Sequence, residues 1–308
     1  MIRVSLQGQL ESTPRWLELA RTADAGGFDT LYVADHPGTS PAPFVALAAA
    51  ATVTDRIRLG TCVVNAGRWE PLVLATEVAT LDVLSGGRSV LGIGAGHTPA
   101  EWSMAELEIP RPAARVARLK EVVEAVQSLL AGNEVSLSGA HVQLKEAILK
   151  VPRPIQDPIP LMVGGNGPNL LRFAAGWADI VGITGLGKTL ADGHSHEANW
   201  GSDTLNSTFG LVRSAAGLAD RTPSIEALVQ HVEFTEDADA RAGEIAKVIP
   251  GASGSDILAS PFVWIGTPEE IALQLHEFEE RWGVTRYVVR EAALTQATEM
   301  LQLLNVGG

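Results

Sequence analysis

The pairing in this 308-residue chain best suited to proton transfer is an acid followed by a histidine at the end of an apolar run: Thr30-Leu31-Tyr32-Val33-Ala34 leads into Asp35-His36. An imidazole titrates near neutral pH and a neighbouring carboxylate can orient it. His36 is therefore the candidate proton donor or acceptor and Asp35 its orienting group; the plainer alternative is a histidine that only bonds its neighbours. A second apolar run ends in Gly94-Ala95-Gly96-His97, where bare backbone admits a flat or bulky group or else makes a tight turn. Its Gly-x-Gly lacks the third glycine of a dinucleotide fingerprint. A third run ends in Gly164-Gly165-Asn166-Gly167-Pro168 ahead of a helix. Free N–H groups and the positive end of a helix dipole suit a phosphate there, although no Lys-Ser/Thr pair follows to make a P-loop. Thr184 closes another run, and Lys188 after it offers a charge or is simply exposed. The run ending in Thr61-Cys62-Val63-Val64-Asn65 completes the set of strand ends.

Other residues read more plainly. Asp192, His194 and His196 lie in a polar stretch that reads as solvated loop rather than a metal site. Cys62, flanked by apolar residues, reads as a packed thiol. Asp82 and Arg88 bracket a double-glycine turn and suggest a structural ion pair, and Glu77 in an apolar helix suggests a buried partner. Trp69, Trp102 and Trp264 read as core or as walls of a ring pocket.

These ends belong to strands that alternate with amphipathic helices. Strands are predicted at 2–7, 30–34, 57–64, 89–93, 161–163, 179–183, 225–234 and 286–289. Helices are predicted at 13–25, 42–52, 72–84, 115–131, 170–175, 268–281 and 294–304, with one on each side of the seventh strand. A small hairpin at 135–144 makes an excursion after strand four, and 184–207, with no periodicity, reads as a lid or binding loop after strand six. Eight such units predict one α/β domain over 1–308, a (β/α)8 TIM barrel, with a doubly wound open sheet as the alternative. Barrel chemistry sits at the C-terminal ends of the strands, which is where the residues above fall.

Composition narrows the partners. With 46% hydrophobic and 19% charged residues the chain can bury a large core, and a net charge of −13 argues against nucleic acid or an anionic membrane as the main partner. Cys62 is the only cysteine, which excludes an intramolecular disulfide and fits a reducing cytoplasm. The first residues lack the apolar run of a signal peptide, and the most apolar segment, 44–53, is too short to span a bilayer.

The ordered set resembles the bacterial luciferase-like superfamily of flavin and deazaflavin oxidoreductases. It includes Ala25-Gly26-Gly27-Phe28-Asp29, Ala34-Asp35-His36, Asp55-Arg56-Ile57-Arg58-Leu59-Gly60-Thr61, the stretch 71–96, Pro152-Arg153-Pro154-Ile155-Gln156, the glycine turn at 164–168, Trp177-Ala178-Asp179 and Gly266-Thr267-Pro268-Glu269-Glu270. The strand-two Asp-His, the turn after Leu84 and the segment 152–156 are similar to the branch that uses coenzyme F420, an 8-hydroxy-5-deazaflavin. The resemblance implies a cofactor ring near His36 in the barrel mouth and a non-proline cis peptide after Cys62. It implies backbone approach to the cofactor at Gly94, Gly96, Gly164, Gly165 and Gly167, a small-molecule substrate and a homodimer. Two departures weigh against sugar-phosphate oxidation: His97 stands where the glucose-6-phosphate dehydrogenase of the superfamily has a carboxylate, and Gln7, Gly8 and Gln9 stand near another. Few basic residues, Arg172, Lys188 and Arg213, are available for the cofactor's poly-glutamate tail. Three functions follow: an F420-dependent oxidoreductase, a two-component FMN monooxygenase, or a flavin-binding barrel without turnover.

Overall fold

The computed structural model describes residues 1–189, 196–249 and 252–306. In chain order the elements are β1 (Arg3–Gln7), α1 (Thr13–Ala25), β2 (Thr30–Val33), α2 (Pro43–Ala51), β3 (Arg58–Thr61), β4 (Val64–Asn65), α3 (Pro71–Leu84) and β5 (Ser89–Gly94). They continue with α4 (Pro99–Met104), α5 (Pro112–Leu130), β6 (Val135–Ser138), β7 (Gln143–Ala147), β8 (Leu161–Gly164), α6 (Pro168–Trp177), β9 (Ile180–Ile183), β10 (Leu186–Thr189) and β11 (His196–Ala198). The last are α7 (Ser202–Leu218), β12 (Ser224–Leu228), β13 (His231–Phe234), α8 (Ala238–Ala246), α9 (Gly254–Leu258), β14 (Val263–Gly266), α10 (Pro268–Trp282), β15 (Val284–Arg290), a 3-10 turn (Glu291–Ala293) and α11 (Leu294–Val306). The parallel strands β1, β2, β3, β5, β8, β9, β12 and β15 alternate with helices as a (β/α)8 barrel.

The chain divides into two compact units. One holds Met1–Gln7, Gly26–Asp29 and Gly165–Gly308; in it β15 pairs with β1 and β12, and β12 with β9, all parallel. Its helix α10 shows why the pattern was legible: Thr267 and Glu270 form a capping box, Pro268 opens the helix, and Gly283 closes it at φ 75°. The other holds Gly8–Ala25 and Thr30–Gly164; in it β3 pairs with β2 and β5, β5 with β8, and the short β4 with the end of β5. Strand β5 is buried along its whole length, as a parallel strand covered on both faces must be.

Several expectations change. The predicted strand 225–234 is two strands: at Gln230 the backbone N–H turns to the Phe262 carbonyl (2.7 Å), and β13 then pairs with β14, which sequence reading missed. The segment 184–207 is not a structureless loop, since β10 and β11 form an antiparallel pair and α7 opens at Ser202. Asp192 and His194 lie outside the described residues, as does the Lys188 side chain. The six-residue α4 was not foreseen.

Asp82 and Arg88 do not pair. The fully buried Asp82 carboxylate accepts from Ile155 N (2.6 Å), Gln156 N (2.9 Å), Gln156 Nε2 (2.6 Å) and Ser89 Oγ (2.8 Å). Burial by itself raises this carboxyl, but the bonds from Gln156, Ser89 and Ile155 outweigh it and hold the group below its ordinary value. Arg88 instead donates to the carbonyls of Ser85, Ile57 and Thr54. Glu77 is half-buried with no ion pair among the described residues, and Trp264 is core.

Candidate active site

The site lies in the unit that carries β2, β3 and β5. Strand β2 is buried throughout and delivers Asp35 and His36 at its C-terminal end. Asp35, nearly buried, accepts from the backbone N–H of Asn65 (3.2 Å) and from Trp69 Nε1 (2.8 Å). Its carboxylate ties the end of β2 to β4 and the loop beyond and does not orient His36, as sequence adjacency had suggested. The orienting group is Glu101: His36 Nδ1 lies 2.5 Å from Glu101 Oε1. The Glu101 side chain is 7% exposed and that of His36 41%, so a buried carboxylate holds one ring nitrogen of a half-open imidazole. His36 Nε2 has no partner among the described residues. The ring of His97 meets that of His36 edge-on, with centroids 6.2 Å apart.

Packing explains how Glu101 arrives. Trp102, buried beside it in α4, fills the space over Gly67, where a Cβ would lie 2.7 Å from the indole. That contact sets the helix against the loop after β4, and Arg68 Nη1 adds a bond to the Glu101 carbonyl (3.3 Å).

The peptide between Cys62 and Val63 is cis, as the resemblance implied. Cys62 is partly exposed rather than packed in the core, and its N–H donates to the Val33 carbonyl (3.0 Å). Residues 61, 63 and 65 meet the alternating glycines at 92, 94 and 96, in β5 and just past its end, one for one. A Cβ would lie 1.8 Å from the Thr61 carbonyl oxygen at Gly92, 2.7 Å from Val63 Cγ2 at Gly94, and 2.2 Å from Asn65 Oδ1 at Gly96. The bare backbone at Gly94 and Gly96 is thus used by the chain's own Val63 and Asn65. Among the described residues Asn65 Nδ2 is left as a buried donor without a hydrogen-bond partner, beside Gly96 and the half-exposed Ala95. A cavity of about 360 Å³ opens at Asp35 and the loop after β4, lined by Asp35, Pro37, Arg68, Trp69, Glu70 and Val73. That is the volume range of small-molecule sites. A flat ring carrying hydrogen-bond acceptors fits this chemistry: among the described residues, one buried amide donor, Asn65 Nδ2, and one imidazole nitrogen, His36 Nε2, are without a partner.

Gly164 pairs in register with Gly94 at the end of β8. The rest of the predicted phosphate loop lies in the other unit. Asn166 is spent on its surroundings: Oδ1 accepts from the N–H groups of Thr184 (3.1 Å) and Gly185 (3.2 Å), and Nδ2 donates to Thr184 Oγ1 (2.6 Å). Asn166 and Thr184 therefore clamp each other. Gly165, at φ 157°, packs on Leu170, while a Cβ at Gly167 would meet nothing within 4 Å among the described residues. A cavity of about 370 Å³ adjoins this turn, lined by Asn166, Pro168 and Leu171 together with Asp203, Thr204 and Ser207 of α7, among others.

Known proteins agree with this architecture. An F420-dependent glucose-6-phosphate dehydrogenase of Beutenbergia cavernae is 36% identical over 204 residues, 62% of this chain and 59% of that one, so the chain spans less than two thirds of this relative's length. The F420-dependent tetrahydromethanopterin reductase of Methanopyrus kandleri superposes with a TM-score of 0.76 at 20% identity, covering 98% of this chain and 97% of the other. A monooxygenase from Streptomyces bottropensis superposes with a TM-score of 0.73 at 24% identity, over 98% and 97%. At these identities the two structures speak for the fold alone. The family model for luciferase-like monooxygenases matches residues 2–200, and the chain belongs to that family.

Proposed function

We propose that this protein is an F420-dependent oxidoreductase acting on a small organic substrate. The observation that carries the reading is the half-open His36 held at Nδ1 by the buried Glu101. The cofactor would supply hydride transfer at C5 of the deazaflavin. The chain's own residues supply the proton and the position. With Nδ1–H donated to Glu101, the Nε2 lone pair of His36 accepts a proton from a substrate hydroxyl, or returns one to a carbonyl in the reverse direction. Glu101 acts as the positioning residue and Asp35 holds the end of β2. Cys62, Val63, Asn65, Ala95 and His97 would line the ring, with Gly94 and Gly96 letting Val63 and Asn65 sit close against the strand behind it. F420-dependent relatives support the cofactor.

We infer separately that the turn Gly165-Asn166-Gly167 takes an anionic group, since Pro168 has no N–H and the N–H groups of Asn169 and Leu170 open α6. Thr184 would hold Asn166 in place for it. The single cysteine supports a reducing, cytoplasmic setting, and no described helix is long and apolar enough to cross a membrane. A homodimer is part of the same reading.

Fluorescence titration of the purified protein with F420 and with FMN tests the cofactor. Binding of F420 at micromolar concentration is expected; tight FMN binding without response to F420 moves the assignment to a two-component monooxygenase, and binding of neither to a barrel without turnover. In His36→Ala, hydride transfer should fall about 10²-fold or more, the usual contribution of a general acid–base group; unchanged transfer removes His36 from the chemistry.

A further inference from the structure

We propose that Arg290 anchors an oxyanion-binding site at the C-terminal ends of β1, β12 and β15, taking a carboxylate- or phosphate-bearing small molecule. Arg290 closes β15 in register with Gln7, the last residue of β1, so the two side chains project from the same face of adjacent parallel strands. Arg290 Nη1 donates to Gln7 Oε1 (3.0 Å), and Nη2 to Gln230 Oε1 (3.3 Å), just past the end of β12.

Both glutamines are held by the fold. Gln7 is 9% exposed, and Gln230 donates through Nε2 to the Leu228 carbonyl (3.1 Å) and through its backbone N–H to Phe262. An exposed arginine side chain is thereby set in one direction before any ligand arrives, which removes much of the ordering cost of binding. The acceptors are neutral. The hydrogen-bond partners of the guanidinium are these two glutamines, in a chain where 36 acids outnumber 23 bases. A carboxylate in place of either glutamine would stabilise the guanidinium more but cancel its charge. With neutral acceptors, two of the five N–H donors of the guanidinium are used for position and three remain, in a planar array that matches the oxygens of a carboxylate or phosphate. In a barrel, strand C-terminal ends are where ligands are held.

The inference does not rest on the cofactor assignment, and its test needs no turnover. Calorimetric titration of the whole protein with inorganic phosphate and with acetate should show saturable binding of at least one, the tighter identifying which oxyanion the site prefers. Arg290→Gln should weaken it at least tenfold. Gln7→Glu, which sets a carboxylate against the guanidinium, should weaken it to a similar degree with the melting temperature maintained; Gln230→Glu replaces it should Gln7→Glu unfold. Binding of neither anion, or full retention of binding in Arg290→Gln or in the folded glutamate variant, overturns the proposal.

Discussion

His36 Nδ1 and Glu101 Oε1, 2.5 Å apart, join the end of β2 to the first turn of a six-residue helix 65 residues later. If Glu101 sets the tautomer and direction of the imidazole, Glu101→Gln should lower hydride transfer about 10²-fold while the fold melts normally. Nitrogen-15 NMR of the histidine ring should show loss of the single Nδ1–H tautomer, a change that a merely structural carboxylate would not cause. Asp35→Asn should behave in the opposite way, costing about 1–3 kcal/mol of stability through the bonds to Asn65 and Trp69 and lowering transfer less than Glu101→Gln does. Equal transfer losses from the two substitutions, or none from Glu101→Gln, would sink the distinction.

Asp82 should govern part of the acid stability. Its folded carboxyl sits below the ordinary value of 3.8, so its contribution is fully present above that pH and is lost as pH falls through the lower folded value. Asp82→Asn points an NH₂ at donors from Ile155, Gln156 and Ser89, and should cost about 2–4 kcal/mol at neutral pH. Urea unfolding from pH 3 to 7 should show a flatter pH dependence for this variant than for the parent chain. A slope identical to the parent's would show that Asp82 does not carry the effect.

Arg118 fastens the loop that carries Trp69. It donates to the carbonyls of Ala66 (3.0 Å), Trp69 (3.2 Å) and His141 (2.6 Å), and pairs with Glu70 (2.8 Å). Arg118→Met should cost about 2–3 kcal/mol by leaving part-buried carbonyls without donors. Arg118→Lys, with one point charge for a planar fork, should recover less than half of that in thermal unfolding.

What the sequence made legible was whatever local chemistry decides. The helix Thr13–Ala25 matches its predicted bounds because Pro14 and the Gly26-Gly27 stop mark both ends. The strand ends were found because the barrel rule selects them. The partner of His36 was not legible: neighbouring residues leaving a strand project to opposite sides, so the adjacency of Asp35 pointed away from contact rather than toward it. Glu101 sits in a helix too short to show periodicity, and nothing local marks it; the one usable signal was Trp102 beside it, apolar in a polar stretch. The split at Gln230 was hidden for a related reason: an apolar run reads the same when its hydrogen-bonding partner changes midway. Glycines 94 and 96 are visible in the sequence as bare backbone, but what fills the space above them, and above Gly92, comes from residues 61–65 and is not.

Two glycine substitutions should separate glycine that spaces strands from glycine that opens a surface. At Gly92 a Cβ would lie 1.8 Å from the Thr61 carbonyl oxygen, which is backbone and cannot rotate aside, and 2.6 Å from the Met162 side chain. Thr61 Oγ1 also exchanges hydrogen bonds with Gly92, accepting from its N–H (3.1 Å) and donating to its carbonyl (2.7 Å), so β3 cannot yield without losing both. Gly92→Ala should therefore cost at least about 3 kcal/mol, at the upper end for overpacking. Gly167 has φ −73° and open space around it, so Gly167→Ala should cost less than about 1 kcal/mol, the preference of a helix N-cap for glycine over alanine. Thermal unfolding of the two variants side by side measures both. A Gly92→Ala protein that melts with the parent would mean that β3 and β5 are not held at the separation their glycines permit.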